Sequence, residues 1–268
     1  MIPRDLLPWD AAYRWYATWH RDCTWDRIHD ALRDQVRIAG GRDPRSSAAV
    51  LDTQSILTSE GGQTRGFDMG KLTRGRRRHI VVDILGLLLV VMVTSASVQD
   101  RHGGKAILER LATRFGSIGL VWADAGYANH IDNGLVTWAN KAINVVLQII
   151  KRSDDTLGFQ VLPRRRVVER TFGCLVRNRR LGRDYERLTG NSETMIKVAM
   201  IQLMAKQLAF VSGGKVVSAP LVAQPIVGGT ISLAGDFTRT EATLRGPCPG
   251  LTPRSAHRGC PRAGARPE

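Results

Sequence analysis

Three acidic residues stand where their surroundings would let them act together. Asp124 closes an apolar run, Gly119-Leu120-Val121-Trp122-Ala123, and a small-residue turn follows, Ala125-Gly126-Tyr127. Asp52 closes another apolar run, Ala48 to Leu51. Glu169 lies in a helical pattern among Arg164, Arg165, Arg166, Arg170, Arg177, Arg179, Arg180 and Arg183, at the margin of an apolar face formed by Val168, Phe172 and Leu175. One aspartate at a strand end is ordinary turn chemistry. Carboxylates that converge from separate strands and a helix are different, because they repel one another unless cations compensate. An all-oxygen donor set suits Mg2+ or Mn2+, which keep positions open for water and phosphate. A carboxylate inside a dense cationic field is what phosphate chemistry needs.

The elements that must position these residues can be read from periodicity. Residues 6 to 38 read as helical, with Trp9, Tyr13, Tyr16 and Trp19 on roughly one face and Trp15 off it. Spacing favours packed core over base stacking for these rings. Thr24 is a candidate cap for a second helix with Ile28, Leu32 and Val36 every four residues. A Gly/Pro/Ser linker follows at 40 to 47. The pattern then turns to strands, expected at Ala48–Leu51, His79–Asp83, Leu87–Thr94, Gly119–Ala123 and Ile143–Ile150, with Gly86 dividing the apolar run ILGLLLVVMV into two pieces. Helices are expected at Lys105–Phe115, Ile131–Lys141, Arg165–Leu181 and Glu193–Phe210. Three strands followed by alternating helix and strand describe a mixed α/β sheet flanked by helices, preceded by a small N-terminal helical region. The expected domains are 1–45 (helical), 46–211 (α/β, carrying the acidic residues) and 212–268. That last segment holds seven of the eleven prolines and nine of the 27 glycines, and reads as disordered apart from a possible strand within 216–234.

Composition narrows the partners. The chain has 268 residues, a net charge of +15 and 43% hydrophobic residues, so it can build a core while attracting polyanions. Lys71, Arg74, Arg76, Arg77, Arg78 and His79 crowd into nine positions, which favours a DNA-backbone contact, and Gly66, Gly70 and Gly75 would let the chain come close to a phosphate. The four cysteines form no C-x-x-C pair, and His20/Cys23 and His257/Cys260 are too far apart to make one zinc site. The start shows no signal peptide, and the longest apolar run is too short to span a bilayer, so no membrane role is expected and a cytoplasmic, nucleoid-associated location is. Asp83 and Asp100 read as structural carboxylates.

Several stretches carry a resemblance: LDTQSI (51–56), GGQTRGFDMGKLTRGRRRHIVVDILGLLL (61–89), SVQDRHGG (97–104), LVWADAGY (120–127), IIKRSDDTLGFQVLPRRRVVERTFGCLVRNRRLGRDYE (149–186) and SETMIKVAMIQLMAKQLA (192–209). Together, and in this order, they resemble a bacterial DDE transposase of insertion sequence family five. The resemblance implies a ribonuclease-H-like fold, Asp52, Asp124 and Glu169 as catalytic and metal-holding residues, and Mg2+ (or Mn2+) as cofactor. It implies double-stranded DNA as partner, both the element's terminal inverted repeats and the target, and a homodimer that brings two ends together. Lys71, Arg74, Arg76, Arg77, Arg78, Arg165, Arg166, Arg170, Arg177 and Arg180 are the expected DNA contacts. Arg166 stands where the family commonly has Trp, the start looks shortened and the end after Ser212 resembles nothing in the family. The alternative reading is therefore a catalytically inactive DNA-binding remnant.

Overall fold

The structure, a computed structural model, describes residues 8–59, 62–128, 134–150, 163–208, 210–212 and 215–218. The described residues divide into two compact units, one with bounds Ala31–Met204 and one comprising Met1–Asp30 with Ala205–Glu268.

The second of these units contains α1 (Trp9–Arg21), the first turns of α2 (Thr24–Ala39), and a short hairpin of β7 (Phe210–Ser212) and β8 (Lys215–Ser218). Its aromatic rings pack on one another. Trp19 meets Trp25 edge-on with centroids 4.9 Å apart, Trp15 meets Trp19 at 6.2 Å, and the Trp25 indole donates to the Tyr16 carbonyl. The expectation of a buried aromatic core is not met, because α1 buries no residue fully and Trp9, Tyr13 and Trp15 stay exposed. The rings cluster along the helix surface instead, and Trp15 belongs to the cluster. The expected strand within 216–234 begins in β8; residues 219–268 lie outside the described residues.

The larger unit is built on a six-stranded mixed sheet with the path β2-β3-β1-β5-β6, and β4 pairs with β3. The strands are β1 (Ala48–Leu57), β2 (Gly66–Asp68), β3 (Thr73–Asp83), β4 (Leu88–Ser95), β5 (Leu120–Asp124) and β6 (Val146–Ile150). The first four form antiparallel pairs; β5 runs parallel to β1, and β6 parallel to β5. Helices α3 (Asp100–Arg114), α4 (Gly134–Ile143), α5 (Pro163–Arg177) and α6 (Thr189–Leu208) complete it. Alternation along the strands sorts the side chains onto two faces. Leu51, Val81, Val121 and Ala123 join Ile107, Leu108 and Leu111 of α3 in the main core. Val50, Asp52, Trp122 and Asp124 face the other way, toward Val168 of α5.

Two strands are longer than their apolar runs. β1 continues past Asp52 to Leu57, so Asp52 is not a strand-end residue. β3 begins at Thr73, because its basic stretch is strand rather than loop. The turn at Gly86 divides the apolar run as expected. Gly86 adopts φ +87, and Asp83, fully buried, accepts from the N–H groups of Leu85 and Leu87 and pairs with Arg37. Asp83 is the structural residue its sequence context implied.

His79, on β3, faces α3. Its ring bonds to the Thr94 hydroxyl, and the bare backbone of Gly103 lies against it, so that a Cβ there would sit 2.0 Å from the imidazole. Burial, reinforced by the charges of Arg77 and Lys71, lowers its pKa to about 3 and keeps the ring neutral. Two outcomes follow. Gly103→Ala, a substitution that stabilises an ordinary helix by up to ~1 kcal/mol, should instead destabilise by about 1–3 kcal/mol in urea unfolding. The unfolded chain takes up the His79 proton below about pH 6.5 and the folded chain does not, so stability contributed by the neutral ring is lost as pH falls from there towards 3. His79→Gln should remove about 1.4 kcal/mol per pH unit from that slope, measured by unfolding between pH 7 and 5.

Candidate active site

The site is built where β1 and β5 part. Their parallel pairing ends at Leu51 with Ala123. Asp52 and Asp124 come next on each strand, on the same face, and line one shallow depression with Val50, Trp122, Ile150 and Val168. Past this point β1 keeps β3 as its partner, while β5 ends. Each carboxylate is oriented by its own backbone. Asp52 Oδ1 accepts the Thr53 N–H at 2.7 Å, and Asp124 Oδ1 accepts the Gly126 N–H at 3.0 Å, capping the single turn Ala125–Tyr127. Two half-buried carboxylates are thereby held side by side where the central strands β1 and β5 part.

Glu169 follows Val168 directly, so its backbone is at the rim of this depression, but its side chain is exposed. Among the described residues, no three His, Cys, Asp or Glu side chains gather closely enough to hold a metal ion. The structure thus brings Asp52 and Asp124 together and leaves Glu169 on the neighbouring helix surface. The donor chemistry of the pair, two carboxylates with fixed orientation and solvent access, fits a hard divalent cation.

Asp100, read from sequence as merely structural, belongs to this neighbourhood. It starts α3, its Oδ1 accepts from the Thr53 hydroxyl (3.0 Å) and from Arg77 Nη1 (2.9 Å), and it forms an ion pair with Arg77. A methyl group placed on Gly126 would touch both Asp100 Oδ2 (3.2 Å) and Asp124 Oδ1 (3.1 Å), so the two carboxylates flank that glycine. The Tyr127 hydroxyl is buried beside them without a normal hydrogen bond. Burial and the charges of Asp100, Asp52 and Asp124 push its pKa well above the usual phenol value. Sequence offered one signal for Asp100: the stretch SVQDRHGG opens a helix with an acid. It could not say that the helix begins beside Thr53.

The basic residues separate into two groups. Arg76, Arg77 and Arg78 are buried, which corrects their assignment as DNA contacts. Arg76 donates to the carbonyls of Gln63, Glu186 and Arg187 and lies 3.3 Å from Asp184. Arg77 bonds the Val98 carbonyl, Asp68 and Asp100. Arg78 donates to the Leu181 carbonyl, and burial, opposed by the Asp184 charge, lowers its pKa to about 10. These guanidiniums need internal acceptors because an uncompensated buried charge is too costly. Nor do Gly66 and Gly75 serve a phosphate: a Cβ on Gly75 would lie 2.0 Å from the Ile56 carbonyl, and one on Gly66 would strike Ser95 and Ser97. Of the expected DNA contacts, the exposed ones are Lys71 and Arg74 beside β2, and Arg166, Arg170, Arg177 and Arg180 on and after α5. Of these, Arg170 donates to the Leu85 carbonyl and Arg180 pairs with Glu186. The side chain of Arg165 lies outside the described residues.

A mixed sheet with flanking helices is an α/β architecture of the ribonuclease-H-like kind. The sequence model of the family described as "Transposase DDE domain" matches residues 43–204. The chain belongs to that family. No curated protein matches the chain.

The two arginine groups should behave oppositely. Arg76→Met should destabilise the protein by about 3–5 kcal/mol, since it leaves Asp184 and several carbonyls uncompensated. At saturating folded protein it should leave DNA affinity unchanged. Lys71→Ala should leave the urea midpoint unchanged and weaken DNA binding, with the slope of log affinity against log salt reduced by about 1.

Proposed function

We propose that the chain cuts DNA at the ends of an insertion sequence of family five and joins them to target DNA. The observation that carries this reading is the placement of Asp52 and Asp124 side by side, each preset by one backbone N–H, in a chain of the transposase family. Asp52, Asp124 and Glu169 would hold Mg2+ or Mn2+. Bound there, a divalent ion supplies charge neutralisation at the phosphate and a more acidic water.

The chain's own residues do the rest. Asp52 and Asp124 fix the negative charge where β1 and β5 part, where the scissile phosphate must lie, and Thr53, itself held by Asp100 and Arg77, braces Asp52 from behind. Glu169, on α5, approaches from the facing helix, and the exposed arginines of the same helix bind the strand's phosphates. Hydrolysis at the element's end frees a 3′-hydroxyl. That hydroxyl attacks a target phosphodiester, forming one P–O bond as another breaks, so no covalent protein intermediate is needed. Two ends must be joined, which calls for a homodimer. The expected domain division, with catalysis within 46–211, belongs to the same proposal, as does a cytoplasmic site of action beside the chromosome. Among the described residues no helix is long and apolar enough to cross a membrane.

The test is cleavage of a labelled duplex carrying the DNA that flanks the coding sequence, with Mg2+, with Mn2+ and with chelator. Metal-dependent nicking is expected, reduced to background in Asp124→Asn and in Glu169→Gln while both variants still bind the duplex. Nicking by Asp124→Asn at the parental rate would exclude this assignment. Binding with no nicking by the parent would instead establish the inactive remnant.

A further inference from the structure

The turn between β2 and β3 holds two large apolar side chains out in water. Met69 is 78% exposed and Leu72 77%, the highest values among the large apolar residues of the described chain. The turn is not loosely held. Asp68, buried beneath it, accepts from the N–H groups of Gly70 (3.0 Å) and Lys71 (3.1 Å) through one oxygen. Its other oxygen takes the Ser55 hydroxyl and Arg77, each at 2.5 Å. Burial alone would raise the Asp68 carboxyl, but these bonds and the Arg77 charge hold it at about 2. The Thr73 hydroxyl donates to the Lys71 carbonyl, and Leu72 sits at φ 48, a left-handed conformation that Gly or Asn adopts more cheaply. The turn has its glycine at Gly70, yet a turn serving only to reverse the chain would also place Gly or Asn at the left-handed position that Leu72 holds and a polar residue where Met69 stands. This one fixes a leucine and a methionine outward on a rigid base.

Its surroundings are cationic. Lys71 is exposed in the turn and Arg74 just after it, and Arg65, also exposed, precedes Gly66 at the base of the hairpin. The hairpin also lies beyond the end of β1 toward which Asp52 is placed, since Leu57 pairs with Gly75 at its base. From Asp52, five positions along β1 and three along the hairpin reach the turn, roughly 25 Å at about 3.3 Å each. A duplex presenting a phosphate to the aspartates could therefore also run past the tip. Apolar side chains of this kind unstack base steps when flanking cations hold the backbone.

We propose that the Met69–Leu72 turn is a wedge that enters a base step of double-stranded DNA, with Arg65, Lys71 and Arg74 on the adjoining phosphates. The proposal rests on the reading that the chain is a DNA-processing transposase and adds to it where the duplex is distorted.

The test uses the full chain and 30-base-pair duplexes carrying the DNA that flanks the coding sequence, with 2-aminopurine at successive positions. Ca2+ is present in place of Mg2+. The parent protein should raise 2-aminopurine fluorescence several-fold at one or two adjacent positions. In the double variant Met69→Ser, Leu72→Asn, whose asparagine tolerates the left-handed backbone, that rise should disappear, while affinity falls less than tenfold and the thermal midpoint is unchanged. Lys71→Ala, Arg74→Ala should weaken binding yet retain the rise at saturation. A parent that binds the duplex without unstacking any position overturns the wedge, as does a double variant that unstacks as the parent does. Loss of self-association in the double variant with DNA unstacking intact would assign the tip to a protein contact and also overturn it. The two readings fail separately: cutting without unstacking removes the wedge alone, unstacking without cutting removes the catalytic reading alone, and no binding to any duplex removes both.

Discussion

Three consecutive arginines and a histidine inside a sheet impose the constraint on which the larger unit depends. Alternation along β3 sends Arg76 and Arg78 to one face and Arg77 and His79 to the other. All four are buried, so each must be satisfied by a neighbour. Arg76 and Arg78 draw in the carbonyls and carboxylate of the segment 181–192 after α5. Arg77 draws in Asp68 and Asp100, and the neutral ring of His79 lets α3 approach at Gly103. One strand thereby ties together the hairpin, the start of α3 and the end of α5. Removing one guanidinium would loosen several elements at once, since buried partners lose their compensation together.

The candidate site inherits its rigidity from this arrangement. Thr53 sits between Asp52, whose carboxylate accepts its N–H, and Asp100, whose carboxylate accepts its hydroxyl. Arg77 holds Asp100 from below. Asp124 is oriented separately by the turn that follows β5. The two aspartates therefore approach each other through independent supports, and like charges can be kept adjacent without the backbone giving way. The helix that carries Glu169 is fixed to the sheet through Thr171, which donates to the Gly86 carbonyl, and through Arg170 to Leu85. The glutamate's helix is anchored while its side chain stays at the surface.

The same network explains why the cationic field is divided. A basic cluster on a loop would be a phosphate-binding surface. The same cluster in a central strand is an internal scaffold, and the expected DNA contacts that stay exposed lie at the hairpin and on and after α5. High net charge alone does not distinguish these roles, because a buried arginine and an exposed one count equally in it.

Much was legible in the sequence. Apolar runs bounded by Gly86 and by acids located the strands, period 3.6 located α2, α3 and α5, and the order of motifs pointed to the family. That Asp52 and Asp124 would be neighbours followed from sequence only for a sheet order that sets the first and fourth strands side by side, and the structure has that order. What sequence could not determine were the extents of β1 and β3, because buried arginines look like loop residues until their acceptors are seen. Nor could it bring Asp100 into the site, or show that Met69 and Leu72 project outward. Local periodicity is set by the backbone and can be read from a single chain. Which distant carboxylate or carbonyl compensates a buried charge depends on contacts that can lie more than a hundred positions apart, such as Arg76 with the Glu186 carbonyl, and only the tertiary structure decides those.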